Sequence, residues 1–424
     1  MKPSPPWLAT VLIGTIGSAP FLPSLAVSAM AAPLSARETV AKPVEQAERL
    51  LRQSKFKEAL AALRRADRVA DKSRYETFII AETQAAACLQ SGDYRGAVKP
   101  IETALATGLL SKEAAQNRVE DLIDVDSRIG DDANVIKYVV RYYRDGGTDQ
   151  TPHRLMADAY LHRKDFADAV QTIRTALDEE TAAGKPPDES LLLLLADSEY
   201  RQHDNTGLAD ALERLLAGNP KPAYWKELLL VLPRVRNFDD RMTLELDRLK
   251  LATSAFGAPR DYMLMAELAL EANLPAEARM ILAAGATAHI LGQAGDIDRQ
   301  DRLVAMAGNE ASAADAGLAQ QAKDAAAAPA GELSIALGAT YASFGKYAEA
   351  ISAFEQGLAK GLIKSPDLAK LDLGIAEIDA GQVDKAKVDL KSIAGTSVTA
   401  DLAKLWIVRV DQVPPAAKPA PDKN

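Results

Sequence analysis

The chain has 424 residues, 48% of them hydrophobic and only 5% aromatic, with a formal net charge of −9. That length allows a large core or several stacked units, and plentiful Ala and Leu with few rings favour helix-on-helix packing over sheets. The acidic balance argues against nucleic acid and anionic lipid as partners, because phosphates reward basic patches.

Residues 1–31 read as a secretory signal: Lys2 gives a positive start, Trp7 to Ile16 is an apolar run, and Ala29-Met30-Ala31 is a small-x-small cleavage site, with Val27-Ser28-Ala29 as the alternative. Pro20 and Pro23 interrupt the run before it reaches the roughly 20 residues that a spanning helix needs. No later segment is apolar enough to span, so no stable membrane span is expected after cleavage. Arg is absent before Arg37, which disfavours a mitochondrial transit peptide. Residues 32–43, with Pro33 and Pro43, are expected to be a linker.

Helical patterning then runs from 44 to 217 and from 218 to 410, taken as an N-terminal and a C-terminal array. Its clearest stretch is 337–361, LGATYASFGKYAEAISAFEQGLAKG. Leu337, Gly338 and Tyr341 share one helical face, Gly345 ends that helix, and Ala350, Phe354 and Gly357 recur at i, i+4 and i+7 on the next. Small residues opposite large ones suit two antiparallel helices, and such a hairpin needs stacked neighbours to bury its apolar face.

Positions equivalent to Gly338 fall at Ala47, Ala85, Ala157, Ala196, Ala266 and Gly374, with weaker matches at Ile123, Leu229 and near Leu303, spaced 33 to 39 residues apart. Twelve residues beyond the clear matches stand Ala59, Ala97, Ala169, Leu208, Ala278, Ala350 and Ala386. Four further on come Leu63, Ile101, Ile173, Leu212, Leu282, Phe354 and Leu390, and three more bring Ala66, Ala104, Ala176, Leu215, Gly285, Gly357 and Ile393. Generic amphipathic helices share a 3.6-residue period but not this 12-4-3 register.

The register resembles the tetratricopeptide repeat, on Gly338, Tyr341, Ala350, Phe354 and Gly357, on Ala157, Tyr160, Ala169, Ile173 and Ala176, and on a unit-ending Pro220. The resemblance covers about residues 44–395 and is poor near 123, 229 and 303. It implies an all-α fold, an α-solenoid of about nine to ten antiparallel hairpins forming a superhelix. Residues 399–410, TADLAKLWIVRV, are expected to be a last helix capping the stack through Leu402, Leu405, Trp406 and Val410. The Ala-rich stretch 309–331 is expected to be a poorly packed helix followed by a loop and a place of flexibility, and 411–424 a disordered Pro/Lys tail.

A second resemblance lies in the C-terminal half. PAYW at 222–225, NLPAEARMIL at 273–282, LGATYASFGKYAEAI, LAKGLIKSPD and DLAKLW are similar to repeat-containing periplasmic proteins found with TonB energy-transduction systems. This implies TonB-system components as partners.

Chemistry-bearing motifs are lacking. Cys88, the one cysteine, allows no intramolecular disulfide and falls on a predicted buried face. His153, His162, His203 and His289 lack metal-helix spacing. Asp121, Asp124, Asp126, Asp131 and Asp132 fail the calcium-loop pattern, with Arg128 and Ile129 where a ligand and a Gly belong, and read as a solvated helix–turn face. With no nucleophile elbow or phosphate loop, no enzyme activity, metal or cofactor is expected.

In the family, first-helix residues three before and one after the small position line a concave groove. The resemblance puts Arg154 and Asp158 there, then Leu193 and Asp197, Met263 and Glu267, and Ile335 and Ala339, with His162 four beyond Asp158. Asp158 and Asp197 stand where a carboxylate-clamping member needs Asn, so a basic or apolar peptide segment fits better than a chaperone C-terminus. The expectation is a periplasmic scaffold for a cell-envelope protein complex. The alternatives are an accessory subunit of a TonB-type system and a scaffold for exopolysaccharide assembly or export, the last disfavoured by few aromatics.

Overall fold

The computed structural model describes residues 35–292 and 297–412. The signal segment 1–31 and all but the first two residues of the expected tail lie outside that range. The described residues form twenty α-helices and no strand, in two compact units that divide between Asp204 and Asn205; the sequence division lies at 217/218.

The first unit contains α1 (Glu38–Arg52), α2 (Phe56–Asp67), α3 (Arg74–Ser91), α4 (Tyr94–Thr107), α5 (Lys112–Ile129), α6 (Asp132–Arg144), α7 (Thr151–Arg163), α8 (Phe166–Ala182) and α9 (Glu189–Gln202). Consecutive helices pack as antiparallel hairpins, and first helices also touch the first helices of neighbouring hairpins, α1 on α3, α5 on α7 and α7 on α9. The expected linker is shorter than 32–43, because α1 already begins at Glu38 and carries Pro43 inside it. Val40, Val44 and Ala47 supply the reason: they make a buried stripe that docks on α2, and burial outweighs one missing backbone donor.

The second unit contains α10 (Asn205–Gly218), α11 (Pro222–Val235), α12 (Asp240–Ala252), α13 (Pro259–Glu271), α14 (Pro275–Thr287), α15 (Ile297–Ala327), α16 (Glu332–Ser343), α17 (Tyr347–Lys360), α18 (Pro366–Asp379), α19 (Val383–Lys391) and α20 (Val398–Asp411). Each unit is thus an α-solenoid of stacked helical hairpins.

The 12-4-3 register is the core. Every residue named above at its small, +12, +4 and +3 positions is buried, from Ala47 through Phe354 to Ile393. Gly338 shows why size matters: a Cβ there would come within 2.8–2.9 Å of the Phe354 ring. The unit at Ile123, which matched the consensus poorly, keeps the register: Val135, Val139 and Tyr142 are all buried against α5, with Val135 and Tyr142 larger than the Ala common at their slots.

The hairpin expected around Leu303 is absent. α15 runs 31 residues without reversing, because no Pro and no positive-φ residue interrupts it. Leu303 and Ala307 pack with α13 and α14, and Leu318 and Ala325 pack with α16 and α17. The Ala-rich stretch therefore continues a packed helix before a short loop at 328–331. Lys360 closes its end, donating from Nζ to the carbonyls of Ala325 at 2.6 Å and Ala328 at 3.0 Å.

α20 packs on α18 and α19 as an end cap and also returns to α12. Thr399 meets Met242, and Arg409 Nε donates to the Ala252 carbonyl at 2.9 Å, so the two helices run parallel. Arg236 pairs with Asp401 at 2.9 Å, and Trp225 Nε1 donates to Gln412 at 3.0 Å. The row of helices in the second unit thereby closes on itself.

Candidate protein-binding face and buried charge clusters

In the first unit, Arg154, Asp158 and His162 recur every fourth residue on α7 and share a face. Arg154 Nη2 donates to Asp188 Oδ2 at 3.0 Å, while Asp188 Oδ1 caps α9 by accepting from the Ser190 and Leu191 amides. One carboxylate so links two successive first helices. His162 is exposed, with Nδ1 3.2 Å from Asp132 on α6. Leu193 is half-buried. Asp197 Oδ2 accepts from Arg201 Nε at 2.8 Å, and its buried Oδ1 has no hydrogen-bond partner among the described residues.

Asp158 has no ion pair among the described residues. Burial lifts its carboxyl above the usual range and Asp132 adds to this, against His162 and Arg154. On α5, burial and the charges of Asp149 and Asp121 lift Glu120 in the same direction. Beside it Arg118 forks to Glu82 of α3 at 2.8 Å and pairs with Asp121 at 2.6 Å. The first helices α3 to α9 thus present a row richer in carboxylates than in cations.

The second unit places its expected groove residues differently. Met263 is only 8% exposed and belongs to the α13–α15 core. Its edge reaches a shallow cleft of about 490 Å³ lined also by Pro259, Arg260, Leu264, Glu267 and Arg299, where Arg299 pairs with Glu267 at 2.6 Å. Ile335 packs against Gly357 of its own hairpin, and Ala339 lies between two core clusters. Ile335 and Ala339 thus serve packing, while Met263 and Glu267 border the cleft.

Sequence reading missed the cluster on α12. Twelve residues after Leu229 stands Arg241, then Glu245 and Arg248, so the register is kept but its core slots hold charges. Arg248 forks onto Glu277 of α14 at 2.7 Å, contacts Glu245 at 2.7 Å and reaches Asp372 of α18 at 3.0 Å. Arg241 pairs with Asp372 at 2.8 Å and with Glu245 at 2.9 Å. Burial pushes Glu245 up to about 7, despite both guanidiniums. The signal was available: three charges falling in the 12-4-3 slots must be buried together.

A second pattern occupies the position three after the small residue, where Tyr160 and Tyr341 stand in two units. Asp126, Glu199 and Glu377 hold it elsewhere, all buried. Glu199 pairs with Arg174 of α8 at 2.8 Å and Glu377 with Lys385 of α19 at 2.9 Å. Asp126 has neither oxygen hydrogen-bonded among the described residues, and burial, then Asp131 and Glu102, push it up to about 6. It is therefore no part of a solvated face, although Asp124 is, paired with Arg128. Cys88 is buried, and burial raises its thiol to about 11.

No helix among the described residues is long and apolar enough to cross a membrane, and none of their acidic, His or Cys groups forms a metal-holding set. No family model and no curated protein matches the chain. Among solved structures it is similar to Naa15/Naa10 bound to HypK-THB, at 13% identity over 86% of this chain and 65% of that one, with a TM-score of 0.31. Yeast Tom70 is similar at 11% identity over 88% and 96%, TM-score 0.25. The P58(IPK) TPR domain is similar at 13% identity over 82% and 99%, TM-score 0.22. The chain thus spans just under two thirds of the first of these. The class, an all-α protein of stacked helical hairpins, is defined by its own helices and register.

Proposed function

We propose that the chain is an exported periplasmic scaffold whose first unit holds a basic segment of a partner protein in a cell-envelope complex. The observation that carries this reading is Asp158, a half-buried carboxylate without an ion pair among the described residues, flanked along the row by Glu120 and by the unpaired oxygen of Asp197. A lysine or arginine side chain would neutralise charge that burial now opposes. The apolar run and small-x-small site within 1–31 support export. The words shared with TonB-associated periplasmic proteins support that kind of complex as the partner, and the second unit carries all of them.

The test is fluorescence anisotropy of the full chain with matched Lys/Arg-rich and Asp/Glu-rich decapeptides at low and high salt. Preference for the basic peptide, weakened by salt and reduced at least tenfold by Asp158→Lys, supports the reading. Equal binding of both peptides, or no effect of Asp158→Lys, overturns it, and glycan binding would then favour the exopolysaccharide alternative. Fractionation of cells making the chain with and without residues 1–31 tests export. Recovery in the cytoplasm with 1–31 present removes the periplasmic part.

A further inference from the structure

The α11–α12 hairpin is built unlike its neighbours. Other hairpins close through small and apolar side chains in the register, whereas α12 offers Arg241, Glu245 and Arg248 there. The connection at 236–239 is extended at both ends, at Arg236 and at Asp239. Besides its contacts with α11 and α13, where Leu244 joins the core, α12 is held by groups distant in sequence: Asp372 on α18, Glu277 on α14, and the length of α20.

The charges at this junction do not balance. Two guanidiniums, Arg241 and Arg248, face three buried carboxylates: Glu245 of α12, Glu277 of α14 and Asp372 of α18, with the exposed Asp379 of α18 beyond them. Tyr347 of α17 lies near Asp379 and Glu277 and carries no charge at neutral pH. α20 adds no charge to the centre, since Asp401 and Arg409 serve Arg236 and the Ala252 carbonyl at its edges. Elsewhere on α12, Asp247 pairs with Lys250, with Asp261 of α13 near it. Full ionisation leaves uncompensated negative charge in a site where Glu245 is wholly covered, and such charge opposes closure.

We propose that the second unit is a proton-responsive ring, in which α12 seats against α18 and α20 when the buried cluster holds a proton and releases them when that proton is lost. Opening separates α12 from Asp372 of α18 and from Thr399 and Arg409 of α20. No covalent chemistry is involved, and a single proton is taken up on closing. The sign follows from burial: the closed ring favours the neutral acid, so acidification strengthens closure and alkaline pH weakens it. Burial holds the Glu245 carboxyl above the ordinary carboxylate range in the closed ring and solvation returns it there, so closure strengthens as pH falls from 8 to 6.

Hydrogen–deuterium exchange on the full chain from pH 6 to pH 8.5, corrected for intrinsic rates, tests this. The expected result is that protection of α12 and α20 falls from pH 6 to pH 8 while α16 and α17 stay constant, and that Glu245→Gln flattens the profile. Tryptophan emission in a Trp7→Phe background follows the same junction through Trp225 and Trp406. Constant protection of α20 across this range, or a change shared equally by α16 and α17, overturns the proposal. So does a Glu245→Gln chain that folds and keeps the wild-type pH dependence. The wild-type profile decides alone where that variant fails to fold.

Discussion

The ring of Phe354 lies directly over Gly338, with no room between them for a methyl group: a Cβ on Gly338 would sit 2.8 Å from Cδ1. Phe354 is fully buried, so the ring has little freedom to withdraw. Gly338→Ala is expected to cost about 1–3 kcal/mol through overpacking. Phe354→Ala is expected to cost about 3–5 kcal/mol through a cavity. Adding Phe354→Leu to Gly338→Ala should recover part of the loss, and urea unfolding of the three variants checks this. A neutral Gly338→Ala would show that the α16–α17 hairpin is looser than its packing implies.

Arg248 joins three carboxylates on three helices. Arg248→Met leaves Glu245, Glu277 and Asp372 facing one guanidinium. The expected loss is about 3–5 kcal/mol, because breaking a buried ionic cluster strands its remaining charges. Chemical denaturation followed by Trp225 and Trp406 emission reports it. A variant within about 0.5 kcal/mol of the parent would mean that water enters the cluster freely.

Glu76 holds the start of α3. It accepts from Arg37 and from the Ser73 amide, closing a capping box. The Arg37 hydrogen bond first, then the backbone amides, lower its carboxyl to about 2. Its folded value lies below the unfolded one, so the stability it adds is present above about pH 4.5 and lost as pH falls toward 2. Acid titration of Glu76→Gln against the parent, by circular dichroism, should show the two converging over that window. Parallel curves would remove the assignment.

Asp126 has the opposite sign. Its folded value of about 6 exceeds the unfolded value of 3.8, so folding favours the neutral acid and stability falls as pH rises from about 4 to about 6. Asp126→Asn should therefore stabilise the first unit at pH 8 by about 1–3 kcal/mol and do little at pH 4. Thermal melts at both pH values check this. An Asn variant that is less stable at pH 8 would show that the carboxylate has a compensating partner.

Periodicity made the hairpins legible because the 12-4-3 positions are the buried ones in every clear unit, and burial is what selects small and apolar side chains. The weak unit at Ile123 was obscured by size, since Val135 and Tyr142 fill slots that Ala or Gly fills in most other units. The Leu303 unit was misread as a hairpin because apolar spacing alone cannot show whether a helix reverses. Among the groove residues, Arg154, Asp158 and His162 recur every fourth residue on α7. Met263 and Ile335 took core roles, and spacing gives no account of what stands opposite a helix.

The helices, most of their pairing and the small–large contacts within each hairpin follow from the order of residues along the chain. These depend on residues about 12 to 19 apart in the chain, and local periodicity records such separations. The meeting of α12 with Asp372, 124 residues beyond Arg248, and the place of α20 beside α12 emerge only from the folded arrangement. Those contacts arise from small rotations between stacked hairpins that add up along the second unit. No single residue encodes that sum, and the closing charges gain meaning only once it brings them together.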